Sequence, residues 1–387
     1  LQSMFIWFLW YQQILSIIIC LFLTLIFFYN RKQSVFSIKR ANIIPVLLIL
    51  VIQIYVVRDQ NINGLILALI KTILISSFII LNDKIKIYLF RFLTKSFAVI
   101  MAISVFAWIL YLLGVPLPYF EISFNENQYT FDNYYFFIHN HIDMLLPYPR
   151  FSSVFLEPGQ LGMILSFLLL SNRFELKRKE ILIIFISLLF TFSLAAYVML
   201  FISATVYLIS LSKKPFRNFI IWGSFLFLIY SFSNNYKNGE NLVNLFVFER
   251  LQIDNGKLAG DNRNSEDLDV YFKKFVNSAD FSTGLGKEKY IELYLGSNAG
   301  YKVFLLQYGI IGTFLVLLFY LFIVLGKSTK MAWILFLVYI LCFIQAAYPL
   351  WDCQLILFIT AIPFFKSHNL KIKYINKKIF NLKPNNE

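Results

Sequence analysis

Residues 150 to 162 read R-F-S-S-V-F-L-E-P-G-Q-L-G and run directly into the apolar stretch M-I-L-S-F-L-L-L. The residue types are those of anion and acid–base chemistry. Arg150 offers a planar fork of donors that fits phosphate oxygens and keeps its charge. Glu157, a carboxylate beside apolar neighbours, suits a general base or a group that orients a hydroxyl. Pro158 cannot donate a backbone hydrogen bond, and Gly159 and Gly162 leave room for close approach. The pattern therefore predicts an irregular or kinked helix start, with Glu157 about two turns into the apolar segment. The plainer alternative is a helix cap, with the carboxylate near the positive end of the dipole.

Further candidates lie along the chain. Arg250 in F-E-R-L-Q-I and Arg263 in G-D-N-R-N-S-E would supply more donors to phosphate, and several arginines converging at a membrane surface suit a lipid-linked diphosphate. The glycine-punctuated T-G-L-G-K-E leads to G-S-N-A-G-Y-K-V-F-L-L-Q-Y-G-I-I-G-T, which includes Ser297 and Asn298. His139 and His141, in F-F-I-H-N-H-I-D, stand near Asp143, but one H-x-H-x-D in a loop is a poor metal site. Polar loop residues that touch sugar are the better reading of the pair, and no metal is assigned. Tyr119, Phe120, Tyr129, Tyr134 and Tyr148 could stack on sugar rings, whereas most of the 44 Phe and 23 Tyr belong to lipid-facing bulk and interfacial belts. Lys71 falls midway along an apolar stretch; it either snorkels or pairs with a carboxylate, and Glu157 is expected nearer the surface.

The elements that must position these residues are set by composition. Hydrophobic residues make up 59% and charged residues 14% of 387, and the mean hydropathy is +0.69, too apolar for a chain that dissolves in water. The fold class expected is an all-α polytopic membrane protein. Apolar spans fall near 5 to 29, 41 to 57, 62 to 81, 96 to 113, 154 to 171, 181 to 193, 195 to 211, 217 to 232, 303 to 325, 331 to 347 and 352 to 365, about eleven transmembrane helices. The first lacks a basic leader region and a small-residue cleavage site, so it is read as a span that stays. Cys20, Cys342 and Cys353 lie in or at the edge of apolar segments without metal-ligand spacing, as buried thiols do.

Net charge of +14 invites a nucleic-acid reading, but the placement of the charges matters more. Lys and Arg concentrate on alternate connections: Arg31, Lys32, Lys39 and Arg40; Lys177 to Lys179; Lys213 and Lys214; and the tail 366 to 387. That asymmetry places these connections in the cytoplasm. Basic clusters flank both ends of 181 to 211, so an even number of crossings must lie between them, and two short helices turning near Phe192 to Ala195 satisfy this. Two long loops, 114 to 150 and 233 to 302, then face outward. The whole of 1 to 387 reads as one integral membrane domain.

At these residues the chain resembles the bacterial O-antigen polymerases (Wzy-type), relatives of the O-antigen ligases. The likeness rests on R-F-S-S-V-F-L-E-P-G-Q-L-G before a span, a late outer loop with arginines, and G-L-G followed by S-N and Y-G-I-I-G. Some members carry an arginine, ten residues and a glycine; here Arg150 reaches Gly162 after eleven and Arg250 reaches Gly260 after nine. Ligases carry a histidine where this chain has Ser297 and Asn298, which favours polymerase. The resemblance implies glycosyl transfer at the periplasmic face of the bacterial inner membrane, with no cofactor. Its substrate would be an undecaprenyl-diphosphate-linked oligosaccharide, and its partners membrane lipids and a chain-length regulator protein, with no nucleic acid. Arg150, Arg250 and Arg263 would hold the diphosphate, and Glu157 with Arg150 would be catalytic. His139, His141, Tyr148, Ser297 and Asn298 would contact glycan. The alternatives are an O-antigen ligase and a lipid-linked oligosaccharide flippase.

Overall fold

The computed structural model describes residues 36 to 365 apart from 38, 61, 125–128, 142–148, 212–214, 255–256, 259–264, 294–299, 327–328 and 346–349, together with 18, 21, 22 and 25. Nearly all of the expected first span and the basic tail lie outside the described residues. The chain is mostly helical. Its principal helices are α1 (Arg40–Val56), α2 (Ile62–Ile80), α3 (Asp83–Leu112), α4 (Pro158–Ser171), α5 (Lys179–Leu189), α6 (Leu194–Leu211), α7 (Pro215–Asn235), α8 (Glu266–Val276), α9 (Gly300–Leu325) and α10 (Lys330–Gln345), followed by α11 (Asp352–Phe365). Three of them, α2, α3 and α9, are long and apolar enough to cross a membrane.

Local chemistry explains several boundaries. α3 starts where the Asn82 side chain accepts a hydrogen bond from the Lys84 amide at 3.1 Å, with Asp83 in the first turn. At 30 residues it is about 45 Å long, more than the roughly 30 Å of hydrocarbon. The span expected at 96 to 113 is therefore the far part of a longer helix, whose start carries Lys84, Lys86, Arg91 and Lys95. The long apolar run 181 to 211 does break in two, at Phe190 to Ser193, where Phe192 takes a positive φ of 43°.

The helix start at Glu157 is regular rather than kinked. Pro158 occupies the first helical turn, where its missing N–H would have no partner anyway. Glu157 is extended (φ −138°, ψ 144°) at the N-cap, not two turns inside, and its side chain makes no capping hydrogen bond. Every residue of α4 is buried, so this is the central helix, apolar all round, packed against α5, α6 and α10. Gly162 permits the closest of these approaches: a Cβ there would overlap that of Ala196 and lie 2.9 Å from its Cα.

Contacts between the helices sort into two ends. At one, Lys39 pairs with Asp83 at 3.2 Å, Lys330 donates to the Ser210 carbonyl, Gly326 abuts Ala41, and Phe364 packs on Phe90. At the other, Tyr55 reaches Thr283, Trp108 meets Phe151 and Phe190, Phe192 stacks on Phe246, Phe304 meets Phe343, and Phe155 meets Trp351. Following the chain, the described helices from α1 to α7, and again from α9 to α11, run alternately between these ends. Of the basic clusters used to read the topology, Lys39–Arg40 and Lys177–Lys179 are described, and both lie at the Lys39 end.

The connections at the Tyr55 end are not plain loops, and the all-α expectation needs amending. Strands β1 (Phe120–Phe124), β2 (Tyr129–Asn133) and β3 (Ile138–Asn140) form an antiparallel sheet in the first. In the second, α8 is capped by Ser265, whose Oγ accepts from the Leu268 amide at 3.1 Å, and buries Leu268 and Phe275 against Leu306 of α9. Gly162→Ala should lower stability by about 1–3 kcal/mol through overpacking. Thermal unfolding in detergent would show this as a fall in Tm, partly recovered in Gly162→Ala/Ala196→Gly.

Candidate functional site

The glycines that the sequence analysis singled out in two separate motifs meet. α9 is interrupted at Gly309 (φ 63°, ψ −171°), which frees backbone groups that an unbroken helix would pair internally. Residues 282 to 286 take them up. The Leu285 and Gly286 amides donate to the Leu306 and Gln307 carbonyls at 2.8 and 3.0 Å, and the Ile311 amide donates to the Ser282 carbonyl at 3.1 Å. Gly284 (φ 79°) lies so close that a Cβ would fall 2.5 Å from the Gln307 carbonyl oxygen and the Gly309 nitrogen. This is a close backbone approach, which only glycine allows.

The end of α1 clamps the docked segment. Tyr55 Oη donates to the Thr283 carbonyl at 2.7 Å and to that of Tyr308 at 3.2 Å. The Arg58 guanidinium donates to the carbonyls of Thr283 and Gly284 at 2.6 and 3.2 Å, lies 4.3 Å from the Tyr55 ring centroid, and sits 3.6 Å from Asp59. Asp59 in turn rests against Gly286, where any side chain would collide with it.

The docked turn leads into Lys287. Burial pushes its ammonium below the usual lysine range, opposed by Glu288. Lys287 lies within electrostatic range of Lys71 on α2, and Lys71 within range of Asp352, the first residue of α11. The carboxylate whose charge acts on Lys71 is therefore Asp352, not Glu157. Asp352 Oδ1 is buried and has no hydrogen-bond partner among the described residues. Lys71 is nine residues into α2, about 13 Å along it, so α11 starts at depth. A backbone end at that level must be buried in protein or line a wet cavity.

The 150 to 157 segment abuts the same place. Phe151 to Leu156 are all buried, and the Phe155 ring meets the Trp351 indole edge-on at 6.1 Å. The two serines are structural. Ser152 Oγ donates to the Ile138 carbonyl at 2.9 Å, and Ser153 Oγ donates to Ser104 Oγ at 2.8 Å, whose own hydroxyl donates to the Phe136 carbonyl at 2.6 Å. They stitch β3 to α3. Arg150 is half-buried beside Phe151, whose amide donates to the Phe190 carbonyl at 3.1 Å. Arg250 lies over the Phe246 ring at 5.6 Å, and Phe246 stacks on Phe192. Phe151, next to Arg150, and Phe246, beneath Arg250, thus both contact the Phe190 to Ser193 turn.

Arg263, Tyr148, Ser297, Asn298 and Asp143 lie outside the described residues. The two histidines both adjoin Asp132: His139 opposes it across the β2–β3 pair, and His141 contacts its carboxylate. His139 is buried, edge-on to the Tyr111 ring at 5.6 Å. His141 Nε2 lies 2.8 Å from Asp132 Oδ1, and the Glu121 carboxylate is close by. Tyr134 stacks on Phe137 at 4.7 Å and meets Tyr119 at 5.3 Å; burial first, then the charges of Tyr111 and Asp132, push its hydroxyl up to about 12. The outer faces of Tyr119, Phe120, Tyr135 and Phe136 remain exposed.

No protein-family model, curated protein or solved structure matches the chain. Sequence reasoning passed over Arg58, Asp59, Lys287 and Asp352. The signals were present: R-D ends an apolar segment and W-D opens another, both ionisable residues at span edges. Removing one partner of a buried pair leaves the other charge uncompensated. Asp352→Asn should therefore destabilise by about 1 kcal/mol, while Lys71→Met/Asp352→Leu should cost less than that single change. Unfolding of the purified variants in detergent checks the order.

Proposed function

We propose that the chain is a surface-polysaccharide polymerase of the O-antigen type, a membrane glycosyltransferase that joins undecaprenyl-diphosphate-linked repeat units. It would cross the bacterial inner membrane about eleven times, with the Tyr55 end in the periplasm. One observation carries the reading: the two sequence motifs behind the resemblance, R150 to G162 and the paired glycine turns, converge at one end of the helix bundle, opposite the basic clusters, beside Lys71, Lys287 and Asp352.

The chemistry suits such an end. An acceptor hydroxyl forms a bond to the anomeric carbon of the donor sugar as the glycosyl–phosphate bond breaks, and undecaprenyl diphosphate leaves with the electron pair. Fixed cations stabilise the charge that grows on the leaving group more in the transition state than before it. Arg150 and Arg250, each beside a residue that contacts the Phe190 to Ser193 turn, would hold the diphosphate with Arg263. Glu157, extended ahead of α4 and with no capping role, would take the hydroxyl proton or orient the hydroxyl. The aromatic faces on the sheet would meet the glycan.

A second reading has its own support. An interrupted helix and an opposite-charge pair at depth are features of transporters, and α9 with Lys71 and Asp352 supplies both. Purified protein given lipid-linked repeat units should produce a ladder of products. Arg150→Ala and Glu157→Gln should lose long polymer, and normal polymer from each at equal expression would overturn their assignment. In cells lacking the chain, single repeat units attached to the lipid A core support the polymerase, and none there supports the flippase.

A further inference from the structure

The sheet of the first long connection holds a cluster that the proposed reaction does not use. β1 and β2 pair with Glu121 directly opposite Asp132. Directly opposed residues project from one face with Cβ atoms about 4.5–5.5 Å apart, and like charges so placed destabilise a sheet. The register thus holds two carboxylates side by side. The chain then turns after β3 and brings in a third group, with His141 Nε2 2.8 Å from Asp132 Oδ1. One ligand atom from each of Glu121, Asp132 and His141 lies within 4.8 Å of the others. Among the described residues, Asp132 makes its one ion-pair contact with His141, and no lysine or arginine pairs with either carboxylate.

The surroundings favour a small occupant reached from one side. Asp132 is 8% exposed, whereas Glu121 stands on the open face of the edge strand. A cation seated there would relieve the opposition of the two carboxylates and tie together β1, β2 and the turn after β3. Two carboxylate oxygens and an imidazole nitrogen form a mixed hard and borderline donor set, matched to first-row divalent ions. Bonds of about 2.0–2.2 Å bring donors to within about 4 Å of one another, so the exposed Glu121 side chain has only to swing inward by roughly an ångström.

We propose that Glu121, Asp132 and His141 bind one divalent transition-metal ion of the Zn²⁺ or Mn²⁺ kind, on the sheet at the Tyr55 end. The ion braces the sheet rather than the proposed glycosyl transfer, so the site stands or falls independently of that reading. The purified full chain in detergent, stripped with a chelator and dialysed against Zn²⁺ or Mn²⁺ alone, should take up one ion per chain and unfold at a higher temperature. Glu121→Gln removes a donor at the exposed edge and leaves the His141–Asp132 contact in place. It should weaken affinity at least about tenfold, and His141→Ala should abolish both uptake and the thermal shift. Absence of uptake by the wild type, or uptake by Glu121→Gln and His141→Ala equal to it, would overturn the proposal.

Discussion

Backbone groups freed inside an apolar bundle must find partners, and that constraint organises the Tyr55 end of this protein. The break at Gly309 leaves the Leu306 and Gln307 carbonyls without helical partners in the next turn. The Leu285 and Gly286 amides answer them, and the Ser282 carbonyl accepts from Ile311. In an apolar surrounding each unpaired group costs several kcal/mol, so the second long connection is held here by necessity and not by surface adhesion. Its glycines follow: the backbones at 284 and 309 approach too closely for a Cβ. Tyr55 and Arg58 then lock the joint from α1.

The joint fixes the electrostatics. Lys287 follows the docked turn directly, so the backbone bonds that seat Gly286 also carry an ammonium toward Lys71. Two lysines held close to one another in a poorly solvated place repel, and a carboxylate between apolar walls is costly alone. Asp352, the first residue of α11, supplies the opposing charge that acts on Lys71.

The sequence made the alternation of helices legible because hydropathy and charge asymmetry are properties of each segment and its flanks. Parity required a turn within 181 to 211, expected near Phe192 to Ala195, and it falls at Phe190 to Ser193. The sheet was not legible, since Phe120–Phe124 and Tyr129–Asn133 are aromatic-rich in a chain where aromatics abound, and pairing depends on register. Glu157 was placed two turns inside a helix because hydropathy sees F-L on its amino side as continuous with the span; backbone geometry begins the helix only at Pro158. The histidines were grouped by nearness in sequence, but β3 ends at Asn140 and the chain turns there, so His139 packs edge-on to Tyr111 while His141 meets the Asp132 carboxylate. Asp352 and Lys71 are 281 residues apart in sequence, and no local pattern links them.

The stretch from Arg150 to Gly162 divides its labour by position. Ser152 and Ser153 tie the sheet to α3, Phe155 packs on Trp351, Pro158 starts α4, and Gly162 admits α6. Arg150 and Glu157 bracket Phe151 to Leu156, and each is half-buried. Both sit at the margin of an otherwise buried segment, one at each end. A rigid segment that presents a cation and a carboxylate at its two ends, held by packing between them, has the preorganisation that stabilising a charged transition state requires. Under the polymerase proposal such rigidity serves the reaction, whereas the alternative proposal of a carrier would require this segment to change shape around its cargo.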